Sequence, residues 1–265
     1  MSVYNGYSNK TINIRKSDMS TNKAFNKILI WNSKGGVGKT PIAYNMALDH
    51  GHSIGTNEGY YCYESLDSIP EETMIAVPME ERFPEFPEDV KIIYDLAGSI
   101  SQGSHSISSA IEHCDLAIVP IRNEWKSLEN GVNSIHQIRQ FNKPILVVAT
   151  QLKKESKDIF PMDEWTQSIH FKAIAEAVHI GNSPDIPVLP LKYSAAFDTI
   201  FAMERSIKQI SAEDKTRAYS WRCVNHQMNA IYDFIDSMKV QDTKPIVSAV
   251  AMQHTVSNES TMRAH

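Results

Sequence analysis

The stretch Lys34-Gly35-Gly36-Val37-Gly38-Lys39-Thr40 lies between the apolar run Ile28-Leu29-Ile30-Trp31 and the helical pattern Ile42-Ala43-Tyr44-Asn45-Met46-Ala47-Leu48. A strand, a glycine-rich turn and a helix N-terminus, in that order, build a site for an anion. The glycines let the chain bend so that backbone N–H groups converge, and the helix dipole adds favourable potential at the same point. Pro41 follows directly, which the first turn of a helix tolerates because its amide has no intrahelical partner there.

The stretch also meets the phosphate-loop pattern G-x-x-x-x-G-K-[ST], except that Ser33 stands at the first glycine. In that pattern Lys39 reaches the β- and γ-phosphates of ATP and the Thr40 hydroxyl binds Mg2+.

Working outward, further short aliphatic runs occur at Ile92-Ile93-Tyr94, Leu116–Val119, Ile145–Val148 and Val188-Leu189. They are continuous rather than alternating, as strands buried on both faces should be. Helical stretches at Leu128–Phe141 and Trp165–Val178 separate several of them. The alternation predicts an α/β fold with a mostly parallel twisted sheet flanked by helices. A last helix is expected near 219–238, where Trp221, Val224, Met228, Ile231, Ile235 and Met238 recur at helical spacing.

The 265 residues carry 26 Lys and Arg against 31 Asp and Glu, a formal charge of −5, with 42% hydrophobic residues. Such a composition excludes wholesale disorder, and no apolar run approaches the roughly 18–20 residues of a membrane-spanning helix. The N-terminal sequence has no hydrophobic signal core, and the separated Cys62, Cys114 and Cys223 are expected as free thiols in a reducing cytoplasm. Charge is uneven along the chain. Residues 1–27 hold five cations against Asp18, whereas residues 58–95 hold eleven acids against Arg82 and Lys91. The organisation expected is a flexible basic arm over 1–26, a nucleotide-binding domain over 27–238, and a loose polar tail over 239–265.

The second lysine of the loop, Lys34, narrows the class. KGGVGKT resembles the deviant Walker A loop of the ParA/MinD family of dimeric ATPases, which also dispenses with the first glycine. The resemblance extends over about residues 27–238. Ile92-Ile93-Tyr94-Asp95-Leu96-Ala97-Gly98 is similar to the family's Walker B strand and switch loop, Cys114–Ile121 to its next strand, Ile145–Thr150 to the one after, and Ile186–Pro190 to the last strand near the adenine. The resemblance implies a P-loop NTPase fold in which Lys34, Gly35, Gly36, Val37, Gly38, Lys39, Thr40 and Pro190 bind ATP. It implies that Thr40 holds Mg2+, that Asp95 holds it through water, and that Lys34 reaches across an ATP-dependent homodimer to the partner's nucleotide.

The resemblance breaks at the end of the second strand, where the family's Asp-x-Asp-Pro-Gln stretch is replaced by Ser53-Ile54-Gly55-Thr56-Asn57-Glu58-Gly59. Glu58 is the acid available to position an attacking water, so catalysis is expected from Lys34, Glu58 and Asp95; as an alternative, Glu58 is an ordinary exposed acid. Three relatives fit less well. The cysteines lack the context of the nitrogenase iron protein, the tail lacks the basic amphipathic helix of MinD-like membrane binders, and Tyr60-Tyr61-Cys62-Tyr63 is internal, unlike a tyrosine-autokinase tail, and reads as aromatic packing.

Partition ATPases of this family bind DNA without sequence preference. Lys192, Arg205, Lys208, Lys215, Arg217 and Arg222 are the candidate contacts, Arg205 and Lys208 being spaced to share a helix face. The expectation is therefore a cytoplasmic, nucleoid-associated ParA-like ATPase that partitions plasmid or chromosomal DNA, is stimulated by a centromere-binding adaptor and does not bind membranes. Two other readings remain: an ATP-dependent switch that positions a machine such as a conjugation apparatus without binding DNA, and a monomeric metabolic P-loop enzyme.

Overall fold

Seven strands form one sheet in the computed structural model, which describes residues 25–59, 62–98, 104–180 and 185–238. The expected arm at 1–26, apart from Phe25 and Asn26, and the expected tail at 239–265 lie outside the described residues. The strands are β1 (Lys27–Ile30), β2 (Ser53–Thr56), β3 (Met74–Ala76), β4 (Ile92–Asp95), β5 (Leu116–Ile121), β6 (Ile145–Leu152) and β7 (Val188–Lys192). Their order across the sheet is β3-β2-β4-β1-β5-β6-β7, and every pairing is parallel.

The helices are α1 (Lys39–His50), α2 (His105–His113), α3 (Trp125–Arg139), α4 (Ile169–Ile180), α5 (Ala196–Met203), α6 (Ile207–Glu213) and α7 (Lys215–Ser237). They explain the unbroken apolar strands, because each strand feeds two cores. Ile28 and Ile30 of β1 face one core with residues of α1, α5, α6 and α7, while Leu29 faces the other with residues of α2, α3 and α4. Leu116 and Ile118 of β5 divide from Ala117 and Val119 in the same way, as do Leu146 and Val148 of β6 from Val147. Burying each such aliphatic side chain contributes about 1.5–3 kcal/mol, so two-sided burial of four-residue strands is enough to hold them.

Several boundaries and elements depart from the sequence reading. The helix expected at Trp165–Val178 is a 3-10 turn, Trp165–Gln167, followed by α4, because Ser168 adopts an extended ψ of 140° between them. α7 begins at Lys215 rather than near 219, since the Asp214 carboxylate caps it by accepting from the amides of Thr216 and Arg217. α3 starts at Trp125, ahead of its apolar stripe. Hydropathy does not signal β2, whose Gly55 has no room for a side chain: a Cβ there would meet Tyr94 at 3.0 Å. α2 and the short α5 and α6 are likewise unsignalled.

His52, between α1 and β2, has both ring nitrogens buried with no hydrogen-bond partner. Burial lowers its pKa to about 4, and His50 and Lys91 add to the effect. Tyr232 and Asp236 of α7 line the same small cavity. An unfolded histidine titrates near 6.5. Between those values the unfolded chain binds more protons, so stability falls as pH drops from 6.5 towards 4. His52→Gln is expected to shrink the loss of melting temperature between pH 6.5 and 4.5; parallel pH profiles for variant and wild type would refute this assignment.

Candidate functional site

The glycine loop leaves β1 at the carboxyl edge of the sheet, where β1 lies between β4 and β5 and the chain order reverses, the usual place for a ligand in an open α/β sheet. Its bend needs glycine at Gly36 and Gly38, with φ of 74° and 92°. Gly38 stands at the N-cap of α1, and no side chain caps that helix, so its first amides remain available to an anion. Val37 is buried and holds the loop to the body of the protein.

Five side chains fix the loop from outside. The Asn32 carboxamide accepts from the Lys34 amide at 2.8 Å and donates to the Pro120 carbonyl. Ser33 donates its N–H to Ser134 Oγ at 3.1 Å and its Oγ–H to Asn130 Oδ1 at 3.0 Å, both on α3. From the end of β6, the Thr150 hydroxyl donates to the Val37 carbonyl and Gln151 Nε2 to the Gly36 carbonyl, each at 2.8 Å. Gln151 does this at φ 53°, a left-handed conformation unusual for a residue other than glycine.

Inside the loop, Lys39 is buried, with Nζ donating to the Lys34 carbonyl at 3.3 Å. Burial pulls its pKa down, Asp95 and Glu58 push it back up, and Lys34 lowers it further. Lys34 is half-buried, with Nζ on the Gly35 carbonyl at 3.2 Å. Asp95 ends β4 in register with Ile30 on one side and Thr56 on the other. It is 1% exposed. Burial raises its pKa to about 6, while the Tyr63 and Thr40 hydroxyls and the Lys39 ammonium pull the other way.

The Tyr63 hydroxyl donates to Asp95 Oδ2 at 2.7 Å, whereas Asp95 Oδ1 is buried without a hydrogen-bond partner. An orphaned carboxylate oxygen beside a half-buried threonine hydroxyl fits a hard cation such as Mg2+, which takes one or two protein oxygens and completes its shell with phosphate and water. Among the described residues no cluster of three His, Cys, Asp or Glu could hold a metal by itself.

Glu58 lies just past β2, half-buried, its amide donating to Thr56 Oγ1 at 3.3 Å, and its charge is felt by both Lys39 and Asp95. Thr56, where the resemblance would place an acid, is 1% exposed and offers only that hydroxyl. Pro190 sits in β7 opposite Ala149. The cleft beside the loop, about 160 Å³, is instead lined by the residues that follow Pro190, namely Leu191 to Ser194, facing Gly38, Pro41 and Gln151.

The basic residues are distributed rather than gathered. Lys192 lines the cleft, with Nζ 5.8 Å from the Trp165 ring. Arg205 does not share a helix face with Lys208: it precedes the Ser206 N-cap of α6 and pairs with Glu213. Arg217 pairs with Asp214 at 3.5 Å. Lys208, Lys215 and Arg222 are exposed, Lys215 and Arg222 being seven apart on one face of α7.

Sequence reasoning did not mark Tyr63, Asn57, Thr150 or Gln151. Asn57 accepts from the Ala97 amide at 2.7 Å and donates to Ser106, tying the end of β2 to the segment after β4. The signal that could have found it is its place beside Glu58, in the stretch where the resemblance breaks.

No protein-family profile and no curated protein matches the chain. Solved structures do. An ATP complex of a McdA variant from Cyanothece is 12% identical, with a TM-score of 0.54 over 83% of this chain and 99% of that one. Apo McdA gives 12% identity and 0.53 over 78% and 97%. A protein assigned to plasmid partition in Borrelia burgdorferi B31, bound to AMPPNP, gives 16% and 0.50 over 80% and 98%. At these identities the likeness is one of fold.

Gly98 abuts the loop so closely that a Cβ would lie 2.7 Å from the Gly35 nitrogen and 2.9 Å from the Lys34 carbonyl carbon. Backbone cannot step aside as a side-chain tip can. Gly98→Ala is expected to cost about 1–3 kcal/mol in urea unfolding; a variant as stable as wild type would show that the two segments separate freely.

Proposed function

We propose that this chain is a ParA-like ATPase in which ATP closes a homodimer that carries DNA, with hydrolysis releasing it. The observation that carries the reading is the uncapped N-terminus of α1 behind a glycine loop, with buried Lys39 and a buried Asp95 that keeps one oxygen free. Loop amides and Lys39 would take the β- and γ-phosphates, and the base would enter the cleft that ends at Leu191–Ser194. Thr40 and Asp95 would hold Mg2+, which when bound neutralises charge across the β- and γ-phosphates. Glu58 would orient the water whose oxygen bonds to the γ-phosphorus as the bridge to ADP breaks.

Lys34 is the link to assembly. Its ammonium rests on its own loop at Gly35 and would turn from there to face a second subunit. A cation delivered from the partner stabilises phosphate charge only in the dimer, so ATP shifts the population towards it. The adaptor that stimulates hydrolysis, the DNA cargo and nucleoid association are parts of the same proposal. Lys208, Lys215 and Arg222 are the exposed cations that favour the DNA arm. The ion pairs of Arg205 and Arg217, and the position of Lys192 in the cleft, favour the second reading, a switch that positions another assembly without touching DNA. Among the described residues no helix is long and apolar enough to cross a membrane.

Lys39→Ala is expected to weaken binding of a fluorescent ATP analogue by at least about a hundredfold, the loss of a charge-assisted phosphate contact in a buried site. Lys34→Ala is expected to bind the analogue but stay monomeric in sedimentation with a non-hydrolysable nucleotide. Unchanged binding in the first would remove the phosphate-loop assignment, and a normal dimer in the second would remove the bridging role. A salt titration of the nucleotide-bound dimer on random-sequence DNA separates the two readings: binding that weakens steeply with salt supports partition, and none at low salt supports the switch.

A further inference from the structure

The cluster Tyr60-Tyr61-Cys62-Tyr63 reads as aromatic packing, and the Tyr63 ring does pack, 6.1 Å from that of Tyr44. Its hydroxyl has another task. It donates a 2.7 Å hydrogen bond to Asp95 Oδ2, with both side chains 1% exposed, and the second carboxylate oxygen has no partner. A phenol brings no charge of its own and donates one proton, so it can occupy one oxygen of a carboxylate and leave the other open.

The phenol is held there by its own segment. Tyr63 lies in the one-turn helix Cys62–Ser65, and the Leu66 amide donates back to its carbonyl at 3.0 Å. Farther along, the Ser68 amide donates to Glu204 Oε2 at 2.8 Å, and Ser68 Oγ shares a 2.6 Å hydrogen bond with Tyr44. Tyr44 stacks in turn on Phe201 of α5, with ring centroids 4.7 Å apart.

We propose that Tyr63 is a positioning residue for the metal: its hydroxyl pins Asp95 Oδ2 and so presents Oδ1 to the Mg2+ that accompanies ATP at the loop. The inference rests on the ATP-binding reading above and adds a residue to it. Hydrogen bonds that orient a ligating carboxylate commonly set metal affinity by about 10- to 100-fold.

The test is binding of a fluorescent ATP analogue to the full chain across a range of Mg2+ concentrations, and again in excess EDTA. Tyr63→Phe keeps the ring against Tyr44 and deletes only the hydroxyl. It is expected to raise the Mg2+ concentration at half-effect about tenfold or more, with affinity in EDTA unchanged. Ser68→Ala, which loosens the same segment without touching Asp95, is expected to keep the wild-type midpoint. An unchanged midpoint in Tyr63→Phe overturns the inference alone, as does an equal shift in Ser68→Ala or an equal loss in EDTA. A wild-type protein that binds the analogue identically with and without Mg2+ overturns the metal reading of Asp95, and this inference with it.

Discussion

Asp95 sits in the interior, and an ionised carboxylate taken from water without compensation costs several kcal/mol. Its neighbours are what make the position tolerable: Lys39 from the loop, Tyr63 from a one-turn helix and the Thr40 hydroxyl from the start of α1. Lys39 and Thr40 are consecutive residues where the loop enters α1, Tyr63 comes from a separate segment, and each can serve only if its segment is in place. The loop position therefore depends on the end of β4, and the end of β4 on the segment around Tyr63. Gly98 locks the arrangement by lying against the loop backbone with no space between. The same low-dielectric setting that makes Asp95 expensive makes every charge near it effective, because interactions there are weakly screened.

The fold was largely legible because two-sided burial writes itself into sequence. A strand such as Leu116–Ile121 has no polar face and cannot be mistaken for a surface strand. β2 left no mark in hydropathy because its four residues include one large apolar side chain, Ile54, and its glycine is required by a close approach from Tyr94 and Phe83. That is a tertiary constraint with no local trace. The start of α7 escaped for a different reason. Its first turn is polar and solvated, so the cap at Asp214, rather than any apolar stripe, decides where the helix begins.

At the site, a short motif marks residues that the structure brings close together: Gly36 and Gly38 bend the loop, Lys39 is buried inside it and Asp95 ends the neighbouring strand. What supports them was not legible in the sequence. Thr150 and Gln151 act through a backbone carbonyl, Asn57 through an amide and Tyr63 through a hydroxyl on a ring that looks apolar in sequence. Such partners are specified by the third dimension and have no fixed offset from the residues they serve. For two of the basic residues spacing misleads in the opposite way. The spacing of Arg205 and Lys208 suggested a shared helix face, but Arg205 falls before its helix because the Ser206 cap intervenes.

β3 ends the sheet on one side among the described residues, and it is only three residues long. An unpaired strand edge is a template on which a second chain can add by backbone hydrogen bonding, which is how native proteins seed unwanted aggregates. Here the template is too short to hold an invading strand, and exposed Glu71 and Glu72 stand immediately before it. The acidic middle of the sequence thus contributes to keeping two copies of the chain from joining through this edge.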